Sequence, residues 1–125
     1  MVRAKVKRIY SPDVEDLRSF ASGDNSFRFL LTLFVGPADS EGEESFDVVV
    51  CTPEWLLANV KEDEVLFLNP YVLMKAYNYV LLLNKVVGRI EGIFGKDWKE
   101  VAEKISAFTH WEFAGYRSKV AVYSG

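Results

Sequence analysis

Residues 45–57, SFDVVVCTPEWLL, carry a strand pattern straight into a helix start with no linker between them. Phe46, Val48 and Val50 are apolar at period two, and Asp47, Val49 and Cys51 alternate with them, the pattern of a half-buried strand. Thr52 then offers a hydroxyl suited to capping. Pro53 fits the first helical position, where its missing N–H costs nothing, and Glu54 meets the positive helix end favourably. Strand and helix therefore belong to one α+β unit.

The flanking sequence extends this reading. Residues 4–10 alternate loosely and predict a first strand, with Arg3, Lys5 and Lys7 to one side and Ser11-Pro12-Asp13 as its stop. Residues 13–26 are polar and rich in turn formers, and read as a loop with room for one helical turn. Phe27, Phe29, Leu31, Leu33 and Val35 give the clearest strand, ended by Gly36-Pro37. A short polar connection over 37–42 then predicts an antiparallel hairpin with the strand at 46–51. Register follows from parity. The first strand of the hairpin uses odd apolar positions and the second even ones, so opposed residues must sum to an odd number, and 79 fits. That sets Leu33 against Phe46, Leu31 against Val48, Phe29 against Val50 and, on the other face, Thr32 against Asp47.

Beyond the short helix, residues 61–64 (KEDE) predict a solvated turn, and 71–77 a further strand. Asn78 caps a predicted helix over 79–94, apolar on more than one side at Val80, Leu81, Leu82 and Leu83 and so expected deep against the sheet, with Gly95 ending it. Gly88 and Gly92 share one face of that helix and are read as marking close backbone packing or a break. From Asp97, the spacing of Trp98, Val101, Ala102, Ile105 and Phe108 predicts an amphipathic helix, with Glu100 four residues before Lys104 outside. Residues 109–113 and 119–123 are candidate closing strands. The expected architecture is a single α+β domain over 1–125, a mostly antiparallel sheet with two longer helices and one short helix packed on it.

Composition narrows the function classes. With 125 residues, 50% hydrophobic and 14% aromatic, the chain can bury one proper core. A formal net charge of −3 gives no strong pull toward nucleic acid or an anionic membrane, so neither is an expected partner. One cysteine, Cys51, makes no internal disulfide and suits a reducing compartment. The basic amino end lacks an apolar signal-peptide stretch, and the apolar window at 79–83 is closed by Asn84 and Lys85; the expected location is the cytoplasm.

Chemistry-bearing residues are sparse. One His and one Cys do not build a zinc site, and Asp39, Glu41, Glu43 and Glu44 do not match a calcium loop. Cys51 with His110 could pair as nucleophile and base, but Cys51 closes a valine-rich strand without a nucleophile motif, and His110 reads as a helix-end residue. The carboxylates of Asp13, Glu15 and Asp16, and of Glu62, Asp63 and Glu64, read as surface. Arg3, Lys5, Lys7 and Arg8 read as edge-strand charges that deter pairing. Trp55, Trp98 and Trp111 read first as core, with Trp111 also suited to an interface. No catalytic residue, metal ligand or cofactor is expected.

The segment ESFDVVVCTPEWL at 44–56, together with RIYSPD at 8–13, KAYNY at 75–79, WEF at 111–113 and the Tyr116-Arg117 pair, resembles the immunity protein 8 family of bacterial polymorphic toxin systems. The resemblance implies a small α+β protein that protects the toxin-producing cell by binding the toxin domain, without turnover. Where acidic residues are expected between WEF and YR, this chain has Ala114 and Gly115. Many toxins of such systems are nucleases with basic clefts, so an acidic patch would steer association. The residues singled out for toxin binding are Glu41, Glu43 and Glu44 in the hairpin loop and Glu62, Asp63 and Glu64 in the turn, with Trp111, Glu112, Tyr116 and Arg117 secondary. A homodimer is compatible with this role. The competing reading is a small-molecule-binding or enzymatic α+β domain with an aromatic-lined pocket.

Overall fold

The odd-numbered stripe of residues 27–35 sits at the centre of a six-stranded sheet in a computed structural model that describes residues 1–21, 23 and 25–111. In chain order the elements are β1 (Val2–Tyr10), β2 (Arg28–Pro37), β3 (Glu44–Cys51), α1 (Pro53–Asn59), β4 (Tyr71–Leu73), α2 (Tyr79–Glu91), β5 (Phe94–Gly95), α3 (Trp98–Ser106) and β6 (His110–Trp111). The strands lie in the order β4-β3-β2-β1-β5, and β6 pairs with β3 as well. All pairings are antiparallel except β3 with β4. The architecture is α+β, as expected.

The register of β2 against β3 is the one parity dictates: Leu33 faces Phe46, Leu31 faces Val48 and Phe29 faces Val50. All six side chains are buried, and with Val35 they form the sheet half of the core. Leu82, Val86 and Ile90 of α2 and Val101, Ala102 and Ile105 of α3 supply the helical half. On the other face Thr32 Oγ1 donates to Asp47 Oδ1 at 2.7 Å. In β1 the pairing passes from Val6 opposite Val35 to Arg8 opposite Phe34, so Lys7 is the extra residue of a β-bulge. The bulge explains the loose alternation there: Ala4 and Val6 reach the core side from even positions, and Ile9 from an odd one.

Caps fall where the sequence puts them. Thr52 Oγ1 accepts from the Trp55 N–H at 3.4 Å and also from the Phe27 N–H at 3.2 Å, tying the helix start to the entrance of β2. Asn78 and Asp97 accept from Leu81 N–H and Glu100 N–H at 3.0 and 2.9 Å.

Several boundaries differ from the sequence expectation. The predicted helix over 79–94 stops at Glu91, because Gly92 caps it and the Ile93 carbonyl then accepts from the Ala4 N–H. Phe94 and Gly95 form β5 against β1, and Gly95 is small because a Cβ there would lie 3.0 Å from the Glu100 side chain. The strand predicted over 71–77 is only three residues long: the Met74 N–H still donates to the Cys51 carbonyl, after which Tyr77 turns its ring into a cluster with Phe20, Phe27 and Phe29. His110 lies in β6 opposite Asp47, not at a helix end. The start of α2 is not deep: Val80 and Leu81 are exposed, and only every fourth residue from Leu82 is buried. Gly88 and Gly92 meet no neighbouring element, so close packing is not their role, and of the two readings the break holds at Gly92, which caps α2. Beyond Trp111, residues Glu112, Tyr116 and Arg117 and the strand expected over 119–123 lie outside the described residues.

Glycines separate cleanly by environment. At Gly36 a Cβ would stand 2.0 Å from the carbonyl oxygen of Gly42, whereas at Gly88 it would meet nothing within 4 Å. Gly36→Ala is therefore expected to destabilise the protein by about 1–3 kcal/mol, while Gly88→Ala stabilises it by up to about 1 kcal/mol, both read from urea midpoints.

Candidate functional site

The first acidic group spans the hairpin, with Glu41 and Glu43 in the loop between β2 and β3 and Glu44, expected in the loop, paired as the first residue of β3; two of the three are engaged by the fold. Glu43 Oε1 accepts from Arg8 Nε at 2.8 Å and from its terminal nitrogen at 2.5 Å, while the guanidinium lies 4.0 Å over the Phe34 ring. Glu44 Oε2 accepts from Trp98 Nε1 at 2.8 Å, which fixes the start of α3 to the start of β3. Glu41 is exposed and makes no ion pair among the described residues.

The second acidic group follows α1, which departs from the Cys51 end of β3, about 23 Å along that strand from Glu44. Glu64 Oε1 accepts from the Lys61 N–H at 3.0 Å, and the Glu64 N–H donates to the Lys61 carbonyl, so Glu64 closes its own turn. Glu62 and Asp63 are exposed at its tip. The two acidic groups are attached at opposite ends of β3, so they form two sites and not one patch.

Trp111 sits in the core. It is 6% exposed, and its ring stacks on Phe46 with centroids 5.9 Å apart; Phe46 also meets Trp98 edge-on at 6.5 Å. Trp55 is only half-buried, in a helix that buries no residue fully. The basic residues of β1 are likewise taken up: Lys5 lies 3.6 Å from Glu91, and Lys7 Nζ donates to the Ser40 carbonyl at 2.6 Å. Glu91 Oε2 also accepts from the Val6 N–H at 3.0 Å, which closes an outward donor of that strand.

Cys51 and His110 do not form a catalytic pair. His110 is opposite Asp47, four residues from Cys51 along β3 and so about 13 Å away. Cys51 is fully buried, and that burial pushes its thiol above the usual range, only partly offset by Arg28. Among the described residues no group of three His, Cys, Asp or Glu side chains could hold a metal ion, and no helix is long and apolar enough to cross a membrane.

The aromatic-lined pocket of the competing reading has a counterpart in an open trough, whose lining residues the sequence did not single out as a pocket. The trough runs between the edge at 68–76 and the row Leu81, Lys85, Arg89 of α2, as two adjoining cavities of about 520 and 380 Å³ that share Val72 and Lys85. Its signal in the sequence is the all-round apolar start of α2, which buries a core stripe on one side and leaves Val80 and Leu81 outside.

The sequence model of the family described as Immunity protein 8 matches residues 4–116 of the 125, from the first strand past the end of the described sheet. The chain belongs to the immunity protein 8 family. No curated protein and no solved structure matches it.

The buried thiol sets a pH dependence. While both states keep Cys51 neutral its burial is unaffected by pH; above the unfolded thiol value of about 8.5 the unfolded chain ionises first, so stability falls as pH rises until the folded thiol ionises too. Urea midpoints are expected to fall more for the wild type than for Cys51→Ala between about pH 8 and pH 10.

Proposed function

We infer that the protein binds a cognate toxin domain and neutralises it by non-catalytic occlusion, working in the cytoplasm of the cell that makes the toxin. The observation that carries this reading is the family match across residues 4–116. The separation of Cys51 from His110 is consistent with it.

Contact with the toxin is assigned to carboxylates that the fold leaves free. Glu41 at the hairpin and Glu62 and Asp63 at the turn are exposed, and each would steer a basic toxin cleft toward the surface. Glu43, Glu44 and Glu64 belong to the same two sites, but their hydrogen bonds to Arg8, Trp98 and Lys61 give them a structural duty as well. Trp111 contributes by holding the sheet at β6, and Glu112, Tyr116 and Arg117 remain the secondary contact residues of the proposal.

Calorimetry with the toxin domain encoded beside this gene tests the function: tight one-to-one binding with loss of toxicity is expected, and no binding to the folded domain would refute it for that partner. Charge reversal separates steering from folding. The triple variant Glu41→Lys, Glu62→Lys, Asp63→Lys is expected to associate about tenfold more slowly at low salt, with the difference shrinking at high salt. Its thermal midpoint should stay within a degree or two of the wild type, whereas Glu44→Lys lowers the midpoint by breaking the bond to Trp98.

A further inference from the structure

Exposed apolar side chains are concentrated in one stretch of the chain. Of the ten large hydrophobic residues exposed among the described residues, seven fall between positions 57 and 81, in α1, the connection to β4, β4 itself and the first turn of α2. Leu68, Leu73 and Leu81 line the trough described above, and Val65 and Phe67 lie immediately before it, 80% and 82% exposed. A patch of this kind on a small protein marks an interaction surface.

Charge decides what the surface takes. The charged residues lining the trough are Lys75, Lys85 and Arg89, with no carboxylate among them, although the whole chain carries a net charge of −3. Lys75 and Lys85 make no ion pair among the described residues, and Arg89 lies 3.8 Å over the Phe108 ring. An occupant should therefore bring apolar side chains together with carboxylates. Residues 62–67, EDEVLF, have that composition: Glu62 and Asp63 have no cationic partner among the described residues, Val65 and Phe67 are exposed, and Leu66 between them is half-buried. The turn closed by Glu64 on Lys61 presents Glu62 and Asp63 at its tip, and Val65 and Phe67 follow it directly, so one short stretch offers both carboxylates and apolar side chains to the Leu81 to Arg89 row of about 12 Å. The residue after the segment, Leu68, itself lines the trough, so the two complementary surfaces are contiguous along the chain. Contiguity is what a two-fold interface requires, since each patch must meet the other's counterpart.

We propose that two copies of this chain form an isologous dimer, in which Glu62, Asp63, Val65 and Phe67 of each copy occupy the trough of the other and meet its Lys75 and Lys85. The short strand β4 lies at the edge of the sheet, inside this interface, so dimerisation covers an edge that a monomer leaves open. The dimer needs no toxin, so its failure would leave the immunity reading intact, and the reverse also holds.

Sedimentation velocity over the micromolar range tests the proposal with a charge swap. The wild type is expected to form a concentration-dependent dimer that weakens with added salt. The variant Lys75→Glu, Lys85→Glu and the variant Glu62→Lys, Asp63→Lys should each sediment as a folded monomer, with circular dichroism and thermal midpoint close to the wild type. Mixed in equal amounts they should form a dimer, because both contacts of the heterodimer are again complementary. Phe67→Ala, at a residue 82% exposed, should weaken dimerisation about tenfold without changing the fold. A wild type that stays monomeric throughout, a dimer unchanged in both charge variants, or a mixture that remains monomeric would each overturn the proposal.

Discussion

The pairing of Leu33 with Phe46 fixes nearly everything else in this fold. A slip of one residue between β2 and β3 would turn Phe46, Val48 and Val50 to the face of Asp47 and expose the side on which α2 and α3 pack. The same pair positions both ends of the chain's second half. Phe46 is the residue on which Trp111 stacks and against which Trp98 packs, and Glu44, two residues earlier, receives the Trp98 indole N–H. At the far end of β3, Thr52 serves β2 and α1 with one hydroxyl. Removing Phe46 would leave a cavity at the meeting point of sheet, helix and β6, a loss of about 3–5 kcal/mol for a buried phenylalanine.

Charged residues sort into two populations on this frame. Arg8, Glu43, Lys5, Glu91 and Glu44 hold elements together, while Glu41, Glu62, Asp63, Lys75 and Lys85 make no ion pair among the described residues. The exposed pairs of the first population contribute little each, since the side chains of Lys5 and Arg8 are more than half exposed and water screens them. Their effect is positional: Arg8 is pinned between Glu43 and Phe34, and Glu91 closes a strand edge. The second population is free to engage another molecule, which is why composition alone, with charges of both kinds counted together, says little about the binding surface.

Period-two stripes and caps were legible because each is a local rule with a strong steric or hydrogen-bonding cause. Residues 27–35 and 45–51 could only alternate one way, and Thr52, Asn78 and Asp97 each stand immediately before a run of helix formers. Boundaries decided by partners were not legible. Gly92 does not announce that Phe94 and Gly95 will pair with Arg3 and Val2, some ninety residues earlier, with the Ile93 carbonyl taking the Ala4 N–H. Tyr77 left the strand pattern because three phenylalanines from other segments made a better place for its ring. For the candidate site, the acidic residues were visible by composition, but their division between structure and surface depends on Arg8 and Trp98, which are 35 and 54 positions away. The trough was hidden because Leu81 and Leu82 look alike in sequence, yet Leu82 is buried in the core while Leu81 stays exposed on the rim of the trough.

The two edges of the sheet differ in a way that bears on function. On the β1 side, a bulge at Lys7, the Glu91 carboxylate on the Val6 N–H and the two residues of β5 leave little for another strand to join. On the β3 side, the edge is shared by β4 and β6, with three and two residues, and next to β4 lie Leu68, Leu73 and Leu81 with no carboxylate lining the trough. A sheet protected at one edge and left apolar at the other has only one direction in which to associate. If that edge is covered by a second copy, the turn bearing Glu62 and Asp63 is held inside the dimer and Glu41 stays outside it, so a toxin arriving at low concentration would first meet the hairpin end. Engagement of the turn would then require the dimer to open, which couples toxin binding to dissociation through the same two carboxylates.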